Sequence, residues 1–134
     1  MSIPSKAKLK EIADKLASIL RIQDWNIKIH IINGFEMNKN YGDCTYMGMS
    51  DKNVRLNTAN IYLNSDNCNE EWYETLVHEL IHVQTCSVEH CANSYFQENH
   101  TYFYDLLENM VEKQAQVFCK LYPVSNFDIL EGDK

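Results

Sequence analysis

The sequence predicts an α+β domain with its helices segregated from its strands. Helix-period and strand-period apolar patterns occupy separate stretches of the chain, in the order helix, three strands, two long helices. Leu9, Ile12, Leu16, Ile19 and Leu20 recur at helical spacing behind Pro4-Ser5, with Lys8, Glu11 and Lys15 on the opposite face, so the first element is an amphipathic surface helix. From Trp25 to Ile32 apolar residues alternate with Asn26, Lys28 and His30, which is the period of a strand. His30 falls on its polar side, where solvent is the expected surrounding. Asn33 to Asn40 reads as a loop. Cys44 to Met49 is a weaker strand, Asp51-Lys52-Asn53 a turn, and Thr58 to Asn64 a strand with Ala59, Ile61 and Leu63 on one side. Ser65 to Asn69 is a polar turn suited to capping the next helix. One long helix is expected from about Glu70 to Cys86 and another from about Gln97 to Tyr122, stopped by Pro123, with a loop holding His90, Cys91 and Asn93 between them.

With 134 residues the chain has room for one domain, here 1–122, followed by a short acidic tail, 123–134. It is 45% hydrophobic and carries five Phe, eight Tyr and two Trp, enough large side chains for a core without disulfide or metal staples. Twelve basic against 19 acidic side chains leave a net charge of −7, which argues against nucleic acid as a partner, since a phosphate surface needs a basic patch. Lys, Glu and Asp interrupt the apolar residues from Lys6 to Lys15, and nowhere do eighteen apolar residues run together, so no leader and no membrane span is expected. The five cysteines, irregularly spaced and without a C-x-x-C pair, fit reduced thiols in a cytoplasmic protein.

The chemistry concentrates at His78-Glu79-Leu80-Ile81-His82. Residues four apart share a helix face with Cβ atoms roughly 5–6 Å apart, so both imidazoles reach one metal ion at about 2.0–2.1 Å. Glu79 lies about 100° further round, badly placed as a ligand but well placed to take a proton from a water on that metal. Trp72, Leu76, Leu80, Val83, Tyr73 and Val77 form a broad apolar face without either histidine, leaving the pair free to line a cleft. By composition alone this five-residue pattern occurs in roughly one chain in a few hundred of this length. Its position within an amphipathic helix, with aliphatic residues at both intervening positions, favours a zinc site over coincidence.

A catalytic zinc takes three protein ligands and keeps one position open. Cys86 is on the right face but two turns from His78, roughly 12 Å along the axis, too far for one ion to serve both. His90 and Cys91 could fold back as weaker alternatives. The last helix offers more: between its apolar stripe and its solvent face runs a strip of Glu108, Glu112, Ala115 and Cys119, two carboxylates followed by small residues that permit a close approach. Left to themselves both glutamates would be read as solvated.

Ala59-Asn60-Ile61-Tyr62-Leu63, then Thr75 to Val83 around the histidine pair, then Glu112-Lys113-Gln114-Ala115, resemble the compact gluzincin metallopeptidases, in particular the phage-type mini-gluzincins and the ImmA/IrrE group. The resemblance covers the order of elements over most of the chain and is motif-specific around 75–83 and 112–119. It implies a minimal zincin-like fold: an N-terminal helix, a sheet of three or more strands, an active-site helix and a C-terminal glutamate helix. By the same likeness Glu112, with Ala115 and Phe118 three and six residues on, is preferred to Glu108 as the third ligand; Glu108 is the alternative ligand, or could instead take an outer role orienting a histidine ring. The Gly and third His of the metzincin extension are missing, since no Gly lies between Val83 and His90.

The implied activity is zinc-dependent hydrolysis of peptide bonds by a metal-activated water, with Glu79 moving the proton and Tyr95, His100, Tyr102 or Tyr104 available at the oxyanion. Thr58 to Asn64 would be an edge strand bordering the cleft, taking a peptide or protein substrate in extended conformation through main-chain hydrogen bonds. Phe127-Asp128-Ile129-Leu130 could fold back over the cleft. The competing reading is a non-catalytic zinc-binding regulatory or interaction domain of the same fold. Oligomeric state is not legible in the chain.

Overall fold

A computed structural model describes residues 2–95 and 100–127, with side chains described outside 92–95, 100 and 101. Its elements are α1 (Lys6–Ile19), β1 (Asn26–Ile32), α2 (Gly34–Tyr41), β2 (Gly48–Asn53), β3 (Thr58–Asn64), α3 (Trp72–Gln84), α4 (Cys86–Tyr95) and α5 (His100–Leu121), with a 3-10 turn at Val124–Asn126. The class is α+β, five helices around a three-stranded mixed sheet. No described helix is long and apolar enough to cross a membrane.

Ser5 caps α1 by accepting the Lys8 N–H at 3.2 Å. Leu9, Ile12 and Leu16 go into the core as their spacing requires, while Ile19 stays 40% exposed. β3 is the central strand: β1 pairs with it in parallel and β2 antiparallel, in the order β1-β3-β2. Ala59, Ile61 and Leu63 are accordingly buried, and they meet Leu76, Val77 and Leu80 of α3 in one continuous core. The expectation of Thr58 to Asn64 as an edge strand is therefore corrected, because β1 hydrogen-bonds to it along one side and β2 along the other. The edge strands are β1 and β2, and the sequence of β2, Gly-Met-Ser-Asp-Lys-Asn, has no apolar alternation. Asp51-Lys52-Asn53 belongs to this strand rather than to a turn. The turn follows at 54–57, where Asn57 takes a left-handed φ of 52°.

Two further helices replace expected loops. Asn33 accepts the Glu36 N–H at 2.8 Å and Gly42 closes α2 with φ of 83°, a capped helix of eight residues. α3 ends at Gln84, shorter than expected, with the Thr85 hydroxyl bonded to the Ile81 carbonyl, and α4 begins at once with Cys86. The N-terminus of α3 has Glu71 at its cap and no side-chain capping bond, so Ser65 to Asn69 does not serve that purpose.

The approach to β2 is pinned by Asn64, which is fully buried at the end of β3. Its amide donates to the Cys44 and Tyr46 carbonyls at 3.0 and 2.8 Å, and its Oδ1 accepts from the Asp66 N–H. β2 then runs close over α3 at Gly48. A Cβ there would stand 2.6 Å from Thr75 Cγ2, 3.3 Å from the Tyr62 carbonyl and 3.5 Å from Glu79 Cγ. Gly48→Ala should cost about 1–3 kcal/mol in denaturant unfolding by forcing strand and helix apart. Thr75→Ser, which removes that methyl group, should recover part of the loss in the double variant.

Candidate metal centre

α3 is buried almost all round, and its one polar stripe faces a cleft of about 1240 Å³ between β2, α4 and α5. Thr75, His78, Glu79 and His82 line it from α3; Ser50 and Lys52 enter from β2, Cys86, Glu89 and His90 from α4, and Tyr104, Glu108 and Glu112 from α5. The histidine rings lie side by side with centroids 4.9 Å apart. Both turn a ring nitrogen to the same carboxylate: His78 Nε2 is 3.1 Å from Glu108 Oε1, and His82 Nε2 is 3.0 and 3.2 Å from the two oxygens of Glu108. The other nitrogen of each ring meets a carboxylate of its own. His78 Nδ1 is 3.3 Å from Glu112 Oε2, and His82 Nδ1 is 2.9 Å from Glu89 Oε1.

Of the two glutamates on α5, Glu108 rather than Glu112 is the one that faces both rings. Glu108, one turn earlier than Glu112, stands level with both histidines, whereas Glu112 reaches His78 alone, on the nitrogen remote from Glu108. Among the described residues, His78, His82 and Glu108 are the group whose potential ligand atoms all lie within 4.8 Å of one another. The set fits a catalytic zinc. Ligand atoms at about 2.1 Å in tetrahedral directions are separated by about 3.4 Å, near the contacts seen here, and two imidazoles with one carboxylate leave a fourth position open. Glu89 fits the outer role, since a hydrogen bond accepted from Nδ1–H orients a ring and directs its Nε2 lone pair inward, and the Glu112 carboxylate stands beside the corresponding nitrogen of His78.

Glu89 was missed by sequence reasoning because Cys86–Tyr95 read as a loop. The missing signal is a spacing: seven residues after His82, a helix continuing with one break returns to the same face. Glu89 is buried, with Lys52 Nζ 3.8 Å away. Cys86 and His90 line the cleft, whereas Cys91 is exposed. His30 lies elsewhere, stacked on Tyr62 with Nε2 3.0 Å from Asn60 Oδ1. Of the oxyanion candidates, Tyr104 lines the cleft and Tyr102 is exposed, while the side chains of Tyr95 and His100 fall outside the described ones. Phe127 packs on Tyr73, on the side of α3 away from the histidines; residues 128–134 of the tail lie outside the described residues.

Glu79 is 7% exposed. Burial raises its pKa, against the opposing pull of His82 and His78, a hydrogen bond from Ser50 and the Lys52 ammonium. For His82, burial works to depress the pKa, but hydrogen bonds to Glu108 and Glu89 and the charge of Glu79 outweigh it and lift the value to about 9. His78 moves in the same direction: burial opposes the shift, and Glu108 and Glu79 overcome it. Hydrogen bonds from both rings hold the Glu108 carboxyl well below the usual carboxylate range.

Protons and a metal ion therefore compete for the same nitrogens. Zinc affinity should rise as pH increases from about 6 to 9, with proton release on binding measurable by calorimetry in buffers of different ionisation enthalpy. The metal-free protein should show the opposite trend. A raised histidine pKa stabilises the fold below the unfolded value of 6.5, and that contribution disappears as pH climbs through about 9.

No protein-family model matches the chain, and no curated protein or solved structure is significantly similar to it.

Proposed function

We propose that this chain is a cytoplasmic zinc-dependent metallopeptidase of minimal zincin-like fold, hydrolysing peptide bonds in extended peptide or protein substrates. The observation that carries this reading is the convergence of His78 Nε2 and His82 Nε2 on the Glu108 carboxylate in an open cleft that Glu79 also lines. His78, His82 and Glu108 would hold the ion, in place of the His78, His82 and Glu112 set that the gluzincin resemblance implies. Zinc held there supplies positive charge that acidifies water and polarises a carbonyl.

The remaining steps belong to the chain itself. Glu79 accepts a proton from the attacking water at its carboxylate and returns it to the departing amine; its raised pKa brings it nearer to neutrality, as a group that both takes and gives a proton requires. Ser50 and Lys52 steady that carboxylate from β2. Glu89 keeps the His82 ring turned inward, and the Glu112 carboxylate stands beside His78 Nδ1. β2 offers main-chain donors and acceptors along the cleft, so an extended substrate adds to it by strand pairing, which favours recognition of backbone over side chains. Tyr104 is the cleft-lining candidate for a hydrogen bond to the developing oxyanion.

Zinc-loaded protein should cleave unstructured casein, lose that activity to a chelator and regain it with one equivalent of zinc. Casein and a mixed peptide library both left intact by zinc-loaded protein would sink the catalytic reading in favour of a zinc-binding interaction domain.

A further inference from the structure

α5 carries a second apolar face that neither the core nor the cleft uses. Leu107, Val111 and Ala115 point into the core, and Glu108 and Glu112 face the cleft. Tyr102, Leu106, Met110, Val117 and Leu121 form a separate stripe, at 67%, 51%, 43%, 57% and 68% exposure. At 100° per residue these five fall within about 100° of arc, and they run for roughly 28 Å along the helix. Isolated exposed apolar residues are ordinary, but five of them aligned on one side of a surface helix, interrupted at Lys113, mark a contact surface.

The stripe is symmetric about its own midpoint. Its steps are four, four, three, four and four once Lys113 is included, so reversing the helix about the point between Val111 and Glu112 exchanges Tyr102 with Leu121, Leu106 with Val117, and Met110 with Lys113. A surface that maps onto itself under a two-fold rotation is what an isologous contact needs. Charge selects the same arrangement. Asp105 and Lys120 are exposed on one flank of the stripe, Asp105 near its beginning and Lys120 near its end. Antiparallel helices bring equivalent flanks together, so Asp105 of each copy comes opposite Lys120 of the other, whereas parallel helices would stack the two acids at one end and the two bases at the other.

We propose that α5 is a homodimer interface, formed by antiparallel packing of this stripe against that of a second copy of the chain. Glu108 and Glu112 lie about 150° round the helix from the stripe, so pairing leaves both clefts open. The dimer does not depend on the metallopeptidase reading. Lys113 is the misfit: its aliphatic stem covers Met110 of the other copy while its ammonium reaches for water, and two such charges near the axis keep the association moderate.

Sedimentation equilibrium of the full chain tests this. The wild type should shift with concentration from 15.7 kDa to twice that mass. Leu106→Lys should raise the dissociation constant by about tenfold or more, since the symmetric contact loses two apolar side chains. Asp105→Lys should weaken the dimer, Asp105→Lys combined with Lys120→Asp should restore it, and Lys113→Leu should tighten it. All these positions are exposed, and far-UV circular dichroism and zinc content report that the fold survives. A wild type that stays monomeric to its solubility limit overturns the proposal and leaves the stripe to a partner of other chemistry. A dimer unaffected by both Leu106→Lys and Asp105→Lys overturns it as well.

Discussion

Glu79→Gln should retain one zinc per chain and lower casein cleavage by a factor of about 10² to 10⁴, the usual worth of a positioned general base. The substitution keeps volume and shape, so the packing of α3 beneath β2 survives, and Gln can still accept the hydrogen bond from Ser50. It cannot accept a proton. Burial already penalises the Glu79 charge, so the neutral replacement should leave thermal stability unchanged or slightly improved. The imidazoles receive their contacts from Glu108, Glu112 and Glu89, and the cluster capable of holding an ion does not include Glu79, so zinc content should be untouched. Elemental analysis and a casein rate on the same preparation check both halves. Full cleavage with Gln at 79 would assign the proton transfer to another group.

The second large effect separates the two carboxylates of α5. Glu108→Ala removes the group that both Nε2 atoms face, and zinc binding should fall by well over the 10–100-fold expected for an orienting residue. Glu112→Ala leaves the three converging groups in place and frees only His78 Nδ1, so it should weaken binding by about 10–100-fold. Glu89→Ala should behave like Glu112→Ala through His82. Competition with a chromogenic chelator measures all three. Were Glu112→Ala the more damaging change, the order implied by the gluzincin resemblance would be reinstated.

Much of this architecture was legible in the sequence because its signals are periodic. The alternation from Thr58 to Asn64 matches β3 residue for residue, and the helical spacing from Leu9 to Leu16 matches the core side of α1. The proximity of His78 and His82 follows from four-residue spacing on any helix. What was not legible depends on tertiary context. β2 is polar because its side chains enter a polar cleft or meet solvent, and it is held as a strand by pairing with β3 along one side, so Asp51-Lys52-Asn53 imitates a turn. Whether β3 lies at the edge or in the centre depends on that unrecognised partner.

Glu108 and Glu112 are chemically identical, one turn apart, and differ only in the axial position of α5 against α3. The Tyr73 hydroxyl, bonded to the Tyr122 carbonyl, is one contact that sets this position. Helix periodicity carries no information about such a register. α2 and α4 were missed for a smaller reason. Asn33 with Glu36 and the terminal Gly42 form a helix signature around α2, but the intervening asparagines weigh towards loop. At α4, one residue outside the helical pattern, Thr85, conceals the continuation that carries Glu89 back to His82.

X-ray absorption at the zinc edge, on protein loaded with one equivalent of the metal, bears most directly on the grouping of His78, His82 and Glu108. Two imidazole nitrogens and light oxygen neighbours at about 2.0–2.2 Å, with no sulfur, are expected. A sulfur neighbour at about 2.3 Å would place the ion on a cysteine such as Cys86, and a spectrum of fully hydrated zinc would mean that the two rings and the carboxylate between them hold no metal.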